Sequence, residues 1–277
     1  MLNYIIFIPF ILILFIIYYI IINIYGYNII EYEFISLDVI PNNKINFNTL
    51  LLSENQSKSI KLYYINMDKS IERKNRFLER MSHFNNYKLQ RVKAITPADL
   101  YNYEIKIPWY CKSMHDKERA CLVSHFKAIE TSYNNNDNYS IIAEDDMIIE
   151  KNINWDYFIS ILPDDWEIIQ LYYFKLPFIN NTYFKQLQKN NFLIKTNNIL
   201  TSAAAYLINK KGMQNILSNI ENNNINLLHQ KNYCLSDFVI YSNINRYILT
   251  YPIIRTEELD STLNPHYIIL RKKANIL

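Results

Sequence analysis

The stretch Tyr139–Glu150, YSIIAEDDMIIE, joins a run of aliphatic residues to three consecutive carboxylates. A short apolar run of this kind predicts a buried strand. Glu144, Asp145 and Asp146 follow it directly, and three adjacent negative charges need a cation, or water on every side, to lie together. If the chain stays extended, side chains 144 and 146 point to one side and side chain 145 to the other. The sequence therefore predicts a ligand site at the end of a buried strand.

The composition indicates a globular protein that does not bind nucleic acid. Half of the 277 residues are hydrophobic, which is enough for a large core. The net charge of +3 lacks the basic excess of nucleic-acid-binding domains. Because Gly26 and Gly212 are the only glycines, we expect tight turns to use Asn, which tolerates positive φ. Cys111, Cys121 and Cys234 are too few for a disulfide framework, and three unpaired thiols are favoured over one disulfide.

The N-terminal segment predicts a membrane anchor. No charged side chain occurs between residues 4 and 22, and a membrane helix takes about 20 apolar residues. No Lys or Arg precedes the run, and a cleavable signal peptide has a shorter apolar part, about 7–15 residues. We expect a transmembrane anchor over residues 1–26 and a stem or linker over residues 27–58. The free amino terminus is the nearby positive charge on one side of the run, and the first Lys on the other side is Lys44, after Glu31 and Glu33. The positive-inside rule therefore favours a single-pass protein with a cytosolic N-terminus and residues 59–277 across the membrane.

From residue 59 onward, strand-like and helical patterns alternate. The predicted strands cover residues 61–66, 89–95, 139–143, 166–173 and 203–208, and the predicted helices cover residues 70–81, 118–133 and 209–220. Alternation over about 200 residues is typical of an α/β sheet with helices on both faces. Ligands of such sheets bind beyond the carboxyl ends of the strands, which is where the three carboxylates are placed.

Carboxylates at a strand end suit a hard divalent cation such as Mg²⁺ or Mn²⁺, which takes oxygen ligands and often shares them with substrate phosphates. Glu144 and Asp146 are the predicted metal ligands, and Asp145 is predicted to contact the substrate or a backbone amide. For an isolated tripeptide, a solvated acidic turn is the stronger interpretation, because short motifs arise easily by chance. The neighbouring motifs therefore decide between the two.

Four further segments carry motifs in a fixed order. Their motif residues are Asn66, Asp68 and Arg73 in YYINMDKSIERKNRFLERM; Glu118, Cys121, Ser124 and His125 in ERACLVSHFKAIE; Gly212 in SAAAYLINKKGMQNIL; and Asp237 in LSDFVIY. Together with the Glu-Asp-Asp strand end, these segments resemble glycosyltransferase family 25, which includes bacterial lipopolysaccharide and collagen-modifying galactosyltransferases. Met67 and Ala120 stand where the family has Leu and Gly. One motif alone is weak evidence, whereas the ordered set is specific.

The resemblance implies a GT-A-like domain over residues 59–277, in which a Rossmann-type sheet binds a nucleotide-sugar. A UDP-hexose donor, with galactose or glucose favoured, would meet a Mn²⁺ or Mg²⁺ ion held by Glu144 and Asp146, and the ion would neutralise charge on the leaving diphosphate. The acceptor would be a hydroxyl of a glycan, glycolipid or protein. The predicted substrate-binding residues are Asn66, Asp68, Arg73, Ser124, His125 and Asp145. Arg73 could instead be a surface charge, Asn66 a turn residue and His125 a buried, hydrogen-bonded side chain.

An acceptor hydroxyl needs a general base in an inverting enzyme, and a carboxylate is the usual choice. Asp237 is the predicted catalytic base, because it matches the late Asp of the family and follows a loop. The alternatives are Asp164, Asp165 and Asp260, and His266 is a further candidate for a late metal ligand.

Two other functions fit parts of the sequence. Carboxylate clusters also bind metals in phosphohydrolases and nucleotidyltransferases, but those enzymes need further acidic or His residues in matching contexts. A catalytically inactive glycosyltransferase-like protein that binds glycans or acts as a scaffold at a membrane would not need the intact Glu144-Asp145-Asp146 set. The leading hypothesis is therefore a membrane-anchored, metal-dependent glycosyltransferase.

Overall fold

The structure is a computed structural model, and it describes residues 39–51, 59–109, 114–149, 151–173, 191–195, 202–228, 235–250 and 253–257. The predicted anchor at residues 1–26 lies outside the described residues, as do Cys111, Cys234, Asp260 and His266. No helix within the described ranges combines the length and the apolar character that a membrane crossing requires.

The described residues form thirteen strands, six α-helices and two short 3-10 helices. The strands are β1 (Val39–Pro41), β2 (Ile60–Asn66), β3 (Tyr87–Lys93), β4 (Glu104–Lys106), β5 (Tyr139–Glu144), β6 (Met147–Ile149), β7 (Ile168–Gln170), β8 (Asn191–Lys195), β9 (Ala205–Asn209), β10 (Ile220–Glu221), β11 (Asn224–Asn226), β12 (Arg246–Leu249) and β13 (Ile254–Thr256). The helices are α1 (Phe47–Leu50), α2 (Ile71–Met81), α3 (Asp116–Asn134), α4 (Trp155–Ser160), α5 (Lys210–Leu217) and α6 (Ser236–Ile240). The 3-10 helices are Asn42–Lys44 and Pro97–Asn102.

Eight strands form one mixed sheet in the order β1-β8-β12-β7-β9-β5-β2-β3. The strand β2 pairs in parallel with both β3 and β5, and β7 pairs in parallel with β12. The pairs β5–β9, β7–β9, β12–β8 and β1–β8 are antiparallel. The carboxyl ends of β3, β2 and β5 therefore meet at one edge, as a ligand-binding α/β sheet requires.

Helices cover both faces of this sheet, as the sequence predicted. Alternate side chains of β2 enter different cores: Leu62 joins the core under α2 and α4, and Tyr63 joins the core under α3, α5 and α6. Phe77 of α2 and Phe126 of α3 are buried on the two opposite faces. Burying a side chain of this size contributes about 1.5–3 kcal/mol, so the two layers of helices hold the sheet in place.

Part of the predicted stem belongs to the fold. Strand β1 pairs with β8 at the edge of the main sheet, and Ile45 and Leu50 are buried in the core under α2 and α4. The side chain of Asn46 caps α1 by accepting a hydrogen bond from the Thr49 amide at 3.2 Å. The amide of Asn154 donates to the Leu50 carbonyl at 2.8 Å, which joins this segment to the start of α4.

Asparagine takes the turn positions for which most proteins use glycine. Among the described residues with positive φ that are not glycine, four are Asn136, Asn222, Asn223 and Asn243, and the fifth is Ser202. Asn tolerates the left-handed region because its short polar side chain bonds to the local backbone. The expectation that tight turns use Asn is confirmed.

Gly212 is needed for space rather than for backbone conformation. A Cβ atom at this position would lie 2.5 Å from the backbone oxygen of Glu167, which no real Cβ contact tolerates. The Gly212 amide also donates a hydrogen bond to Asn209 Oδ1 at 2.8 Å, by which the Asn209 side chain caps α5. The first turn of α5 therefore packs directly on the backbone at the start of β7.

Candidate active site

A cavity of about 260 Å³ lies at the edge where the carboxyl ends of β2, β3 and β5 meet. Three parts of the chain form its wall: the residues after these strands, the first turn of α2, and one face of α3. The lining residues are Ile65, Met67, Lys69, Arg73, Ala94, Ile95, Thr96, Pro97, Lys117, Ala120, Cys121, Ser124, His125, Glu144 and Asp145. Of the predicted site residues, Arg73, Ser124, His125, Glu144 and Asp145 thus share one cavity.

The acidic tripeptide spans the end of a strand and the start of a turn. Strand β5 ends at Glu144, and Asp145 and Asp146 form the turn that leads into β6. Glu144 and Asp145 both line the cavity, whereas Asp146 is not among its lining residues. The expected alternation of side chains 144, 145 and 146 does not hold, because it requires an extended chain that has already ended at Glu144.

Asp145 contacts two other predicted substrate-binding residues, Asn66 at the end of β2 and Arg73 in the first turn of α2. Its Oδ1 atom pairs with the Arg73 guanidinium, and its Oδ2 atom accepts a hydrogen bond from Asn66 Nδ2 at 2.6 Å. Burial raises the pKa of Asp145 above its ordinary value, against the opposing effects of Arg73 and Asn66. The structure therefore brings the three residues together through contacts with one another, and their binding of a substrate stays a prediction.

Asp68 lies outside the cavity. Arg91 Nη2 donates to its Oδ1 atom at 2.6 Å, and Lys93 Nζ lies 2.8 Å from its Oδ2 atom. The hydrogen bonds from Lys93 and Arg91 lower the pKa of this exposed carboxyl. Arg91 also donates through Nε to Asn66 Oδ1 at 2.9 Å, so Arg91 links Asp68 to the network of Asn66 and Asp145.

Ser124 builds the wall between α3 and the residues that follow β3. Its hydroxyl accepts a hydrogen bond from the Ile95 amide at 2.8 Å and donates to the Ala120 carbonyl at 2.6 Å. The donor and the acceptor capacity of the hydroxyl are thus both used inside the protein. Ser124 joins two sides of the cavity, and its contact with a substrate stays a prediction.

His125, Cys121 and Glu144 bring three different donor atoms together. The imidazole Nε2 lies 3.5 Å from Glu144 Oε1, and all three potential ligand atoms lie within 4.8 Å of one another. The imidazole Nδ1 lies 3.3 Å from the Tyr206 hydroxyl. Desolvation raises the pKa of the Cys121 thiol well above its ordinary value. Cys121 was not predicted as a site residue, although its four-residue spacing from His125 on one helix could have revealed it.

Asp237 supports the loop that precedes β9. Its carboxylate accepts hydrogen bonds from the amides of Ser202 at 2.8 Å and Ala203 at 3.1 Å, and desolvation raises its pKa. It is not among the residues that line the cavity. Because β9 runs antiparallel to β5, this loop lies at the same edge of the sheet as Glu144. The role of Asp237 as general base stays a prediction.

Two of the alternative bases lie at the wrong edge of the sheet. Asp164 and Asp165 precede β7, which runs in the same direction as β5 because both are antiparallel to β9. They therefore lie at the amino ends of these strands, opposite the cavity. Asp165 is also engaged there by Lys195 and by the Tyr247 hydroxyl, the latter at 2.7 Å.

Two lysines that were not predicted also line the cavity. Lys69 lies in the loop after β2, and Lys117 lies in the first turn of α3, one turn before Cys121 on the same face. With Arg73 they give the cavity wall three cationic side chains. The position of Lys117 on the motif-bearing face of α3 is the sequence signal that could have identified it.

The acidic turn is also held by the segment after β13. The amide of Glu257 donates to the Asp146 carbonyl at 2.8 Å, and the Glu257 carboxylate pairs with Arg76 and Arg80 of α2. Arg80 Nη2 also donates to the Met147 carbonyl at 3.2 Å. The turn between β5 and β6 is therefore anchored to α2 on one side and to β13 on the other.

Residues 59–232 match the family model described as glycosyltransferase family 25, LPS biosynthesis protein. The chain belongs to glycosyltransferase family 25. It is thus an enzyme of the glycosyltransferase class, as the motif order predicted. No curated protein matches the chain.

Two solved structures of glycosyltransferases are similar to this family 25 member. One is a glycosyltransferase involved in the glycosylation of the major capsid of PBCV-1, with 8% identity over 67% of this chain and 76% of that chain and a TM-score of 0.38. The other is the apo-form glycosyltransferase GlyE of Streptococcus pneumoniae TIGR4, with 9% identity over 70% of this chain and 45% of that chain and a TM-score of 0.39. Likenesses this remote bear neither on the substrate nor on the mechanism.

Proposed function

We propose that this glycosyltransferase transfers a hexose, with galactose or glucose favoured, from a UDP-hexose donor to a hydroxyl of a glycan, glycolipid or protein. The observation that carries the proposal is the combination, in one cavity, of three cationic side chains with the carboxylate of Glu144. A nucleotide-sugar has a diphosphate that needs cations around it, and a sugar carbon that reacts beside it. The cavity lies at the strand ends where a GT-A-like domain would hold such a donor.

The cationic side chains suit the diphosphate. Lys69 lines the cavity from the loop after β2, Lys117 from the first turn of α3, and Arg73 from the first turn of α2. Arginine can donate two parallel hydrogen bonds to a phosphate, and lysine acts as a mobile point charge. Arg73 already pairs with Asp145, so a phosphate would share or displace that contact. Donor binding is therefore expected to change the surroundings of Asp145.

The donor atoms at Glu144 fit a divalent cation. Mg²⁺ and Mn²⁺ are commonly bound by one or two carboxylates together with substrate phosphates and water. Glu144 lines the cavity, and its side chain is partly exposed. We assign it as the main protein ligand of Mn²⁺ or Mg²⁺, with Asp146 as the predicted second ligand. Such an ion would stabilise the negative charge that develops on the leaving diphosphate.

The proposed place of action is a membrane surface. The apolar run at residues 4–22 would anchor the enzyme with its N-terminus in the cytosol and its catalytic domain across the membrane, in an endomembrane lumen if the cell is eukaryotic. An enzyme held in this way would modify secretory or surface glycans. Antibody or protease access to residues 59–277 in sealed vesicles tests this orientation, which fails if the domain is reached from the cytosolic side.

A donor screen tests the proposed reaction. The purified full chain is incubated with each common nucleotide-sugar and Mn²⁺, and the release of free nucleoside diphosphate is measured with and without a chelator. We expect one UDP-hexose to be hydrolysed in a metal-dependent way. Glu144→Gln should lower this rate by about 100-fold or more, the scale expected when a transition-state charge loses its electrostatic support.

Glu104→Gln is the matched control, because Glu104 is exposed in β4 and its ion-pair partner is Lys106. It should leave the rate unchanged. Equal rates for the wild type and Glu144→Gln would contradict the proposed metal site. No release by the wild type, with no thermal shift from any UDP-sugar, would favour the inactive glycan-binding or scaffold protein.

A further inference from the structure

The face of α3 that lines the cavity carries two side chains with affinity for softer metals. Cys121 and His125 are four residues apart in the 19-residue helix α3, so they project from the same face one turn apart. Glu144 meets them from the end of β5, and the three donor atoms lie within 4.8 Å of one another. Both elements are rigid, because α3 packs in the core and β5 is an inner strand of the sheet.

The imidazole of His125 is oriented as a metal ligand would be. The side chain is 1% exposed, and its Nε2 atom has no hydrogen-bond partner among the described residues. Nδ1 lies 3.3 Å from the Tyr206 hydroxyl, and in the tautomer in which Nδ1–H donates to this hydroxyl, the lone pair of Nε2 points toward Glu144. Metal-binding histidines are commonly held in this way through the other ring nitrogen.

The distance between His125 Nε2 and Glu144 Oε1 is longer than a hydrogen bond and fits two ligands of one ion. At 3.5 Å, Nε2 and Oε1 lie beyond the usual 2.7–3.2 Å range of a hydrogen bond. Two ligands of one tetrahedral Zn²⁺, with metal–ligand distances of about 2.0–2.2 Å, lie about 3.4 Å apart. The pair therefore fits the spacing of two ligands around one ion, and Cys121 Sγ lies within 4.8 Å of both, so a shift of at most about 1 Å makes it a third ligand.

We propose that Cys121, His125 and Glu144 bind a thiophilic divalent cation of the Zn²⁺ class. Sulfur, imidazole and carboxylate donors together favour Zn²⁺ or Co²⁺ over Mg²⁺, which prefers oxygen ligands alone. Formation of the metal–sulfur bond releases the thiol proton of Cys121 to solvent, and the fourth coordination position faces the cavity. Serine cannot replace Cys121 in this role, because its hydroxyl does not ionise as a thiol does.

A consequence follows for the enzyme, and it rests on the proposed function. Glu144 cannot hold both this cation and the Mn²⁺ or Mg²⁺ of the donor complex. Occupation of the Cys121-His125-Glu144 site should therefore inhibit sugar transfer in competition with Mn²⁺. Binding of the thiophilic cation itself does not depend on any transferase activity.

Co²⁺ is the probe for the test, because a thiolate ligand gives it a charge-transfer absorption in the near ultraviolet. The metal-free, reduced full chain is titrated with Co²⁺. We expect one ion per chain and a charge-transfer band that Zn²⁺ abolishes by displacement. Cys121→Ser should remove the band, and His125→Gln should weaken Co²⁺ binding by about tenfold or more. Circular dichroism checks that both variants are folded.

Cys111→Ser and Cys234→Ser are the matched controls, and both should keep the band. A wild-type titration without the band, or a band that survives Cys121→Ser, would overturn the proposed site. Donor hydrolysis is measured separately with Mn²⁺ and increasing Zn²⁺, as the ratio of inhibited to uninhibited rate in each variant. Equal Zn²⁺ inhibition in the wild type and Cys121→Ser would overturn the proposed competition between Zn²⁺ and Mn²⁺. If the Co²⁺ band is present but no donor is hydrolysed, only the proposed transferase reaction is contradicted.

Discussion

The Arg73→Ala substitution removes the cation that pairs with the buried carboxylate of Asp145. Arg73 comes from α2 and Asp145 from the turn after β5, so their ion pair joins two elements that are 72 residues apart along the chain. The same guanidinium lies 3.8 Å from Asp146 Oδ2. Without Arg73, both carboxylates of the turn lose one nearby positive charge, and the folded state is destabilised.

The expected loss can be worked from the burial of the pair. Removing one partner of a fully buried pair costs about 3–5 kcal/mol, whereas an exposed pair contributes about 0.2–1 kcal/mol. Asp145 is buried but Arg73 is partly exposed, and Asp145 retains its hydrogen bond from Asn66 at 2.6 Å. We expect a loss of about 2 kcal/mol, which lowers Tm by about 4–8 °C in a domain of this size.

The pH dependence of this loss identifies its cause. Burial places the folded-state pKa of Asp145 above its ordinary value of 3.8, so the folded state binds the proton more tightly than the unfolded state does. Stability from this group therefore falls as the pH rises through the window between 3.8 and the raised pKa. Removing Arg73 raises the folded-state pKa further. The destabilisation by Arg73→Ala should thus be full at neutral pH, where Asp145 is charged, and should shrink as the pH falls below its folded-state pKa.

Thermal and urea unfolding of the two proteins at several pH values measure both effects. Arg76→Ala is the matched control, because Arg76 lies on the same helix, has a side chain that is 41% exposed against 19% for Arg73, and reaches Glu257 at 3.5 Å. This control should lose less than about 1 kcal/mol at every pH. The reasoning is refuted if Arg73→Ala costs no more than Arg76→Ala, or if its cost does not decline toward acidic pH.

Two further substitutions test positions where the sequence and the structure give different roles. Gly212→Ala should lower the free energy of unfolding by about 1–3 kcal/mol, because the new Cβ would meet the Glu167 backbone oxygen. The control is Gln214→Ala on the exposed side of α5, which should lower the free energy of unfolding by less than about 0.5 kcal/mol. Asp237→Asn should cost about 1–3 kcal/mol in unfolding experiments, because one of two backbone amides loses its acceptor. A fall in sugar transfer of about 10²–10⁴ at unchanged Tm would instead establish the predicted general base.

The long, periodic segments could be predicted from the sequence because their burial pattern repeats within the segment itself. The predicted helices at 70–81 and 118–133 are α2 and α3, and the strands at 61–66, 139–143 and 203–208 are β2, β5 and β9. The strand predicted at 166–173 is only Ile168–Gln170. The short strands β4, β6, β10, β11 and β13 were missed, because two or three residues carry no period. Their conformation depends on partners elsewhere in the chain, as β6 depends on β13.

The candidate site could be predicted in part for the same reason. Local motifs identified the acidic strand end and the face of α3, and both line the cavity. The partner of each charge could not be predicted, because it depends on how distant elements meet. Arg73 and Asp68 were both predicted to bind substrate, but Arg73 pairs with Asp145, and Asp68 pairs with Arg91 and Lys93.

The three adjacent carboxylates lie together because the fold gives them different partners. Arg73 is paired with Asp145 and lies near Asp146, whose side chains are 5% and 12% exposed, while the Glu144 side chain is 29% exposed and lines the cavity. The Glu144 amide is fixed by the Ala204 carbonyl at 2.9 Å, so its backbone cannot move to relieve repulsion. A positive charge beside two carboxylates reduces their mutual repulsion, and Glu144 and Asp145 are the two residues of the tripeptide that line the cavity. Glu144 is thus the most exposed carboxylate of the tripeptide, and it is the residue that the proposed donor metal and the proposed thiophilic ion would share.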